Sequence, residues 1–321
     1  MFESRIDLSA LKTAVESIRA EVAKIIVGQE QMVDLLIAAI LADGHVLIEG
    51  VPGVAKTMTA KLISRTLNVD FNRIQFTPDL MPSDVLGTMV FNPKEADFGF
   101  KQGPIFSNIV LVDEINRAPA KTQAALLEVM EERQVTVDGV SHIMSYPFFV
   151  IATQNPVEHE GTYRLPEAQL DRFVFKINVG YPKLDEEVNI LAGYHTRKGV
   201  NNVESITSVL NAADLQQYRV VIQSLHVEER IMRYIAQIVH ATRNSGSLYL
   251  GASPRASLGI LTTSKAIAAM NGMDFVTPEH VREVVTPVLR HRIQLTPERE
   301  MEGASPDEVI KEIVEKTEVP R

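Results

Sequence analysis

The sequence predicts an α/β core built on a mostly parallel five-stranded sheet, followed by an all-α domain. Three observations predict it. Five apolar runs, at 45–48, 71–76, 109–112, 148–152 and 173–177, alternate with segments of helical periodicity, the pattern of a doubly wound sheet. A Gly-rich turn follows the first run and two carboxylates end the third, so chemistry collects where such sheets place ligands. Around Pro182 the strand signal stops, and residues 185 to 321 read as helical almost throughout.

Residues 7 to 26 form an amphipathic helix through Leu8, Leu11, Val15, Ile18 and Val22, and a second helix spans about 29 to 42. The first strand runs into HVLIEGVPGVAKT (45–57). A helix starting near Val54 follows, with Ala60, Leu62, Ile63 and Leu67 on its apolar side. Between the second and third strands lies an insert, 77–106, in which Thr88–Phe91 and Phe98–Lys101 can pair as a hairpin. The third strand, Ile109 to Val112, is apolar at every position, as expected of a strand covered on both faces. Before the fourth strand, QVTVDGVSHI (134–143) carries Asp138-Gly139 between alternating segments, a two-residue hairpin signal. Past Pro182, residues 227–240 and 258–270 are helical. The last helix starts with Ser305 as N-cap, Pro306 in the first turn and Glu308 closing a capping box, then buries Val309, Ile310, Ile313 and Val314. The expected division is 1–182 and 183–321.

Composition removes several function classes. The chain has 321 residues, 45% of them apolar, enough for true cores. A net charge of −9 argues against a generally nucleic-acid-binding surface. Without cysteine there are no disulfides or thiolate metal sites, and the 8 histidines form no zinc motif. The start, MFESRIDLSALK, lacks the apolar core of a secretory signal, and the apolar stretch Leu35–Ala42 is too short to cross a bilayer. A soluble, cytoplasmic protein is expected.

The Gly-rich turn and the two carboxylates make the two halves of a site for a nucleoside triphosphate and Mg²⁺. In the run Gly50, Val51, Pro52, Gly53, Val54, Ala55, Lys56, Thr57 and Met58, the glycines allow backbone N–H groups to wrap phosphate oxygens, and the following helix directs its N-terminus at the same anion. Lys56 adds charge at the β/γ-phosphates, and the Thr57 hydroxyl is placed to bind Mg²⁺. The strict pattern wants Gly where this chain has Ala55. Asp113 fits an outer ligand for Mg²⁺, and Glu114 a base that orients an attacking water.

Three further residues carry polarity that local structure does not require. Asn155 lies just past the fourth strand and is near Asp113 if those strands are neighbours; its amide can orient water or meet the γ-phosphate. Arg172 ends the segment LPEAQLDR, where a cation at a helix end is favourable, but it can also reach a neighbouring subunit's triphosphate. Arg255 sits in the first turn of a helix capped by Ser253 and Pro254, where positive charge is unfavourable unless a phosphate is bound.

Taken in order, GVPGVAKT, VDEINRAPAKTQAALLEVMEERQVTV, ATQNP, LPEAQLDRF and GASPRASL resemble the MoxR group of AAA+ ATPases, from about Ile26 to Ile293. The resemblance implies an AAA+ αβα core with a helical lid, with ATP and Mg²⁺ as ligands. Lys56 and Thr57 would be Walker A, Asp113 and Glu114 Walker B, Asn155 sensor 1, Arg172 the trans-acting arginine finger and Arg255 sensor 2. Ile26, Val27, Gly28 and Gln29 would meet adenine. Gln75 lies where a residue restraining Glu114 is often found. The inserts at 77–106 and 134–143 look like the helix-2 insert and the pre-sensor-1 hairpin. Such proteins generally form homo-hexamers, act as chaperone-like remodellers of protein complexes, and often work with von Willebrand factor A domain partners.

Alternatives are a nucleic-acid motor of MCM-like type, a nucleotide-gated scaffold without turnover, and a small-molecule kinase. A hairpin that grips phosphates should be basic, yet 134–143 has no Lys or Arg, and the other insert has only Lys94 and Lys101. Glu114, Asn155 and Arg172 together argue against a scaffold. A kinase needs neither an arginine acting in trans nor a second sensor.

Overall fold

The structure is a computed structural model that describes residues 6–51, 53–94, 96–155, 163, 165–199 and 203–320. Pro52, one of the expected phosphate-loop residues, lies outside them.

Two helices open the chain, α1 (Ser9–Ala23) and α2 (Glu30–Leu41). The α/β part follows as β1 (His45–Gly50), α3 (Lys56–Thr66), β2 (Phe71–Gln75), α4 (Pro82–Leu86), β3 (Gly87–Asn92), β4 (Asp97–Gln102), β5 (Ile109–Asp113), α5 (Ala120–Glu132), β6 (Gln134–Val137), β7 (Val140–Ile143), β8 (Phe149–Gln154), α6 (Glu167–Leu170) and β9 (Phe173–Val179). The helical part comprises α7 (Leu184–Thr196), α8 (Ala212–Gln223), α9 (Glu229–Arg243), α10 (Pro254–Met270), α11 (Pro278–Leu289), α12 (Pro297–Met301) and α13 (Pro306–Lys316). A short ribbon of β10 (Leu248–Leu250) and β11 (Gln294–Leu295) interrupts it, which periodicity over so few residues could not reveal.

The main sheet has the order β2-β5-β8-β1-β9, and every pairing is parallel. All five strands therefore end on one edge. β1, β5 and β8 are central and their apolar runs are buried, whereas edge strand β2 buries only Ile74. Both hairpins form with the expected registers: Thr88 opposite Lys101 and Phe91 opposite Phe98, and Val137 opposite Val140. Asp138 (φ 48°) and Gly139 (φ 79°) take the paired left-handed conformation of a type I′ turn. The two hairpins meet where Phe100 stacks on His142, ring centroids 4.3 Å apart.

The cap of α13 is as expected: Ser305 Oγ accepts from Glu308 N at 3.3 Å, Glu308 Oε2 accepts from Ser305 N at 2.8 Å, and all four apolar residues named are buried. One cluster of buried residues joins α1 and α2 to helices α8 to α11 and α13, so the helical part shares its core with the front of the chain. A second cluster lies on the other face of the sheet under α5. Among the described residues, no helix is long and apolar enough to cross a membrane.

Candidate nucleotide site

The C-terminal edge of the sheet carries a cavity of about 500 Å³ lined by Gly53, Ala55, Lys56, Thr57, Met58, Lys61, Asp113, Glu114, Thr153, Gln154 and Asn155. The turn from β1, the end of β5 and the end of β8 converge there because those strands are adjacent. Asn155 thus comes beside Asp113, as the sequence suggested. Val54 is buried beneath the turn and Val51 is half-buried.

The two glycines serve different ends. Gly53 has φ +87° and supplies backbone freedom. Gly50 is not left-handed; a side chain there would put its Cβ 2.6 Å from the Val179 carbonyl oxygen, so what matters is the close approach of β9. The helix begins at Lys56, not near Val54, because Ala55 takes a left-handed conformation (φ 60°, ψ 19°) as its N-cap. That conformation explains why the strict pattern prefers Gly at this position.

Lys56 Nζ donates to the Gly50 carbonyl at 2.7 Å. Burial lowers its pKa, while Asp113, Glu114 and Glu49 oppose that and favour its charge. Asp113 is held on both oxygens: Oδ1 accepts from Thr153 Oγ1 at 2.6 Å, and Oδ2 accepts from Arg73 Nε at 3.0 Å and Nη2 at 2.8 Å. Glu114 has a left-handed backbone (φ 58°, ψ 52°) that turns its side chain off the strand line, and its N–H donates to Thr153 Oγ1 at 3.0 Å. Gln75 Nε2 donates to Glu114 Oε2 at 2.7 Å, and Arg117 Nε lies 3.3 Å from the same oxygen. Thr57 and Asp113 fit Mg²⁺, which takes one or two oxygen ligands from protein and the rest from phosphate and water.

Ile26, Val27, Gly28 and Gln29 line a separate cavity of about 410 Å³ between α1 and α2. Gly28 (φ +74°) packs there against Glu186, whose carboxyl carbon would lie 2.6 Å from a Cβ.

Arg172 and Arg255 are not at the phosphate cavity. Arg172 precedes β9 and so lies at the opposite, N-terminal edge of the sheet. Both cations grip one carboxylate: Arg172 Nε is 2.6 Å from Glu131 Oε2 and Arg255 Nη2 is 2.7 Å from Glu131 Oε1. These bonds, Arg172 first, hold the Glu131 carboxyl below its ordinary pKa. The unfavourable first-turn position of Arg255 is therefore met by Glu131, where the sequence alone pointed to a bound phosphate. Ser253 is the N-cap residue, but its hydroxyl donates to Asp171 Oδ2 at 3.1 Å instead of capping backbone. Sequence reading missed Glu131, Arg73 and Thr153. Arg73 and Gln75 share a strand face by alternation, a usable signal; nothing in the sequence marked Glu131.

Against known proteins, residues 45–175 match the family model described as ATPase family associated with various cellular activities (AAA), and residues 240–313 match the AAA lid domain. Chaperone MoxR1 of Mycobacterium tuberculosis is 44% identical, the match covering 94% of this chain and 81% of that protein. The chain belongs to the MoxR family of AAA+ ATPases. An uncharacterized protein of Bacillus subtilis, YeaC, is also 44% identical to this MoxR-family chain, over 97% of it and 95% of the relative. A crystal structure of a Cytophaga hutchinsonii protein, described as a candidate ATPase, superposes on the MoxR-family fold with a TM-score of 0.89 at 40% identity, covering 97% of both chains.

Proposed function

We propose that this MoxR-family protein binds ATP with Mg²⁺, hydrolyses it between adjacent copies in a homo-oligomeric ring, and uses the cycle to remodel protein complexes. The observation that carries this reading is the split of charged and polar groups between two edges of one sheet. Lys56, Asp113, Glu114 and Asn155 surround one cavity, while Arg172 and Arg255 stand together at the far edge. Strands of six or seven residues separate the edges by about 20 Å. In this reading Arg172 and Arg255 serve the phosphates of another copy, arranged head to tail, an arrangement that makes a ring where its rotation closes.

In this reading Gly50 to Met58 wraps the phosphates, Thr57 and Asp113 hold Mg²⁺, Glu114 orients the attacking water and Asn155 assists it. Ile26 to Gln29 receives the adenine. Residues 1–182 serve as the core and 183–321 as the lid. Helix α7 buries none of its residues and exposes Leu184, Val188 and Leu191, as a contact face for a second copy would. The hairpins expose Phe91, Phe98, Val140 and Ile143, apolar side chains suited to protein clients and not to nucleic-acid phosphates. A von Willebrand factor A domain protein is a fitting partner, and the cytoplasm a fitting location.

Two substitutions test the site. Lys56→Ala should abolish ATP binding. Glu114→Gln should keep binding and lose hydrolysis by about two orders of magnitude or more. Hydrolysis by Glu114→Gln at the native rate would refute Glu114 as the base.

A further inference from the structure

The carboxylates of Asp113 and Glu114 are joined through two side chains of the edge strand β2. Arg73 places Nε and Nη2 on Asp113 Oδ2, at 3.0 and 2.8 Å, and the same Nη2 donates to Gln75 Oε1 at 2.8 Å. With its carbonyl oxygen turned to Arg73, Gln75 must direct its amide nitrogen the other way, and Nε2 meets Glu114 Oε2 at 2.7 Å. The guanidinium fork thus fixes which end of the Gln75 amide faces Glu114.

We propose that Arg73 is a positioning residue that couples the Asp113 carboxylate to the Gln75–Glu114 hydrogen bond, so that a divalent cation drawn to Asp113 loosens the hold on Glu114. This rests on the reading of Asp113 as the cation's carboxylate and Glu114 as the base. Thr153 donates to Asp113 Oδ1 and Arg73 holds Oδ2 twice, so a cation's water shell drawn to this carboxylate competes with Arg73. Two positive groups at one carboxylate repel each other, and the guanidinium is the one free to leave, with 48% of its side chain exposed. Its departure strips Gln75 Oε1 of a charged donor. Gln75 is then able to turn, leaving Glu114 with Arg117 alone of the two side-chain contacts described. The base is released only when the cation has arrived.

The test uses the full chain and a fluorescent ATP analogue, with Mg²⁺ as the titrant. Arg73→Ala should reduce the Mg²⁺ concentration for half-maximal tightening of nucleotide binding by roughly two- to fivefold, the scale an exposed ion pair supports. Binding without Mg²⁺ should not change. Arg73→Lys retains the competing charge but not the fork. It should keep the native Mg²⁺ midpoint yet raise unstimulated hydrolysis as far as Gln75→Ala does. The double variant Arg73→Ala/Gln75→Ala should hydrolyse no faster than Gln75→Ala. An unchanged Mg²⁺ midpoint in Arg73→Ala, or gains that add in the double variant, would overturn the coupling. So would a loss of affinity equal with and without Mg²⁺ alongside a lower melting temperature, the signature of a merely structural residue. Hydrolysis by Glu114→Gln would remove the base reading while leaving the Mg²⁺ shift of Arg73→Ala intact, so the two failures are distinguishable.

Discussion

Arg255 Nη2 lies 2.7 Å from Glu131 Oε1, an ion pair that spans the helical part and the α/β part of the chain. Arg172 holds the other oxygen of that carboxylate. Two arginines that belong to separate segments thereby meet at one carboxylate. In the ring proposed above, both would act on the nucleotide of a neighbouring copy.

Removing Arg255 should cost little in the nucleotide-free chain. The pair is about half-exposed on the arginine side, worth about 0–1 kcal/mol, and deleting a cation from a helix's first turn offsets part of that. At concentrations where copies stay apart, Arg255→Ala should also leave the melting shift given by a non-hydrolysable ATP analogue unchanged. Hydrolysis under assembling conditions should fall. A reduced ATP-induced shift in separate copies would mean that Arg255 touches its own nucleotide.

Ala55 gives a second prediction. Its left-handed conformation costs an L-residue about 1–2 kcal/mol, which glycine avoids, while glycine costs about 0.4–1 kcal/mol through the freer unfolded chain. Ala55→Gly should therefore be neutral to stabilising by about 1 kcal/mol, whereas Ala55→Val should destabilise because a β-branched residue fits this region poorly. Denaturant melts decide it, and a marked loss with glycine would show that the Ala55 methyl group packs usefully.

What the sequence made legible follows from how locally each feature is encoded. The buried strands, the Asp138-Gly139 turn and the Ser305 cap are each set by neighbouring residues, and all appear where expected. The meeting of Lys56, Asp113, Glu114 and Asn155 at one cavity was legible because each part sits at the end of an apolar strand, so adjacency followed from fold class. The partner of Arg255 was not, because Glu131 lies 124 positions away and only tertiary packing brings them together. For the same reason the role of Gly50 was misjudged: its constraint comes from Val179, not from its own backbone angles. The share of the core that α1 and α2 hold in common with α8 to α11 and α13 also lies beyond periodicity, which shows that a face is apolar but not what covers it.

Two fully buried histidines predict acid sensitivity. His45 donates through Nε2 to the Met130 carbonyl and accepts at Nδ1 from Val150 N–H, both at 3.0 Å, so it is built into the fold as the neutral ring. Burial, with Arg133 adding repulsion, pulls its pKa down to about 3. His291, bonded to the Phe173 carbonyl at 2.9 Å, is also pulled well down by burial, with Arg292 next. Below pH about 6.5 the unfolded chain takes up protons that the folded chain refuses, so stability falls as pH falls. Each histidine should contribute a loss of up to about 1.4 kcal/mol per pH unit, beginning near 6.5, above the range where paired carboxylates protonate. Glu283, whose carboxyl is raised by burial and then by Asp34, works in the opposite sense closer to the carboxylate range. Melting temperatures at pH 7.5, 6.5, 5.5 and 5.0 test the window; a flat profile would mean that neither ring is held neutral.

The mixing of two inactive variants tests whether Arg172 serves a neighbour. Lys56→Ala removes the phosphate contact but leaves the far edge of the sheet intact, and Arg172→Ala does the reverse. Each alone should be nearly inactive. In a ring built at random from equal amounts, an active interface needs a cavity from the Arg172→Ala chain and an arginine from the Lys56→Ala chain. That occurs at about one interface in four, so turnover should recover to about a quarter of the native rate if interfaces act independently. The recovery should follow assembly, vanishing on dilution and in a chain whose α7 face carries Leu191→Glu. If mixed rings form and no activity returns, Arg172 does not act across the interface, and its bond to Glu131 is structural. If Arg172→Ala alone keeps native turnover, the arginine that completes the site is a different one.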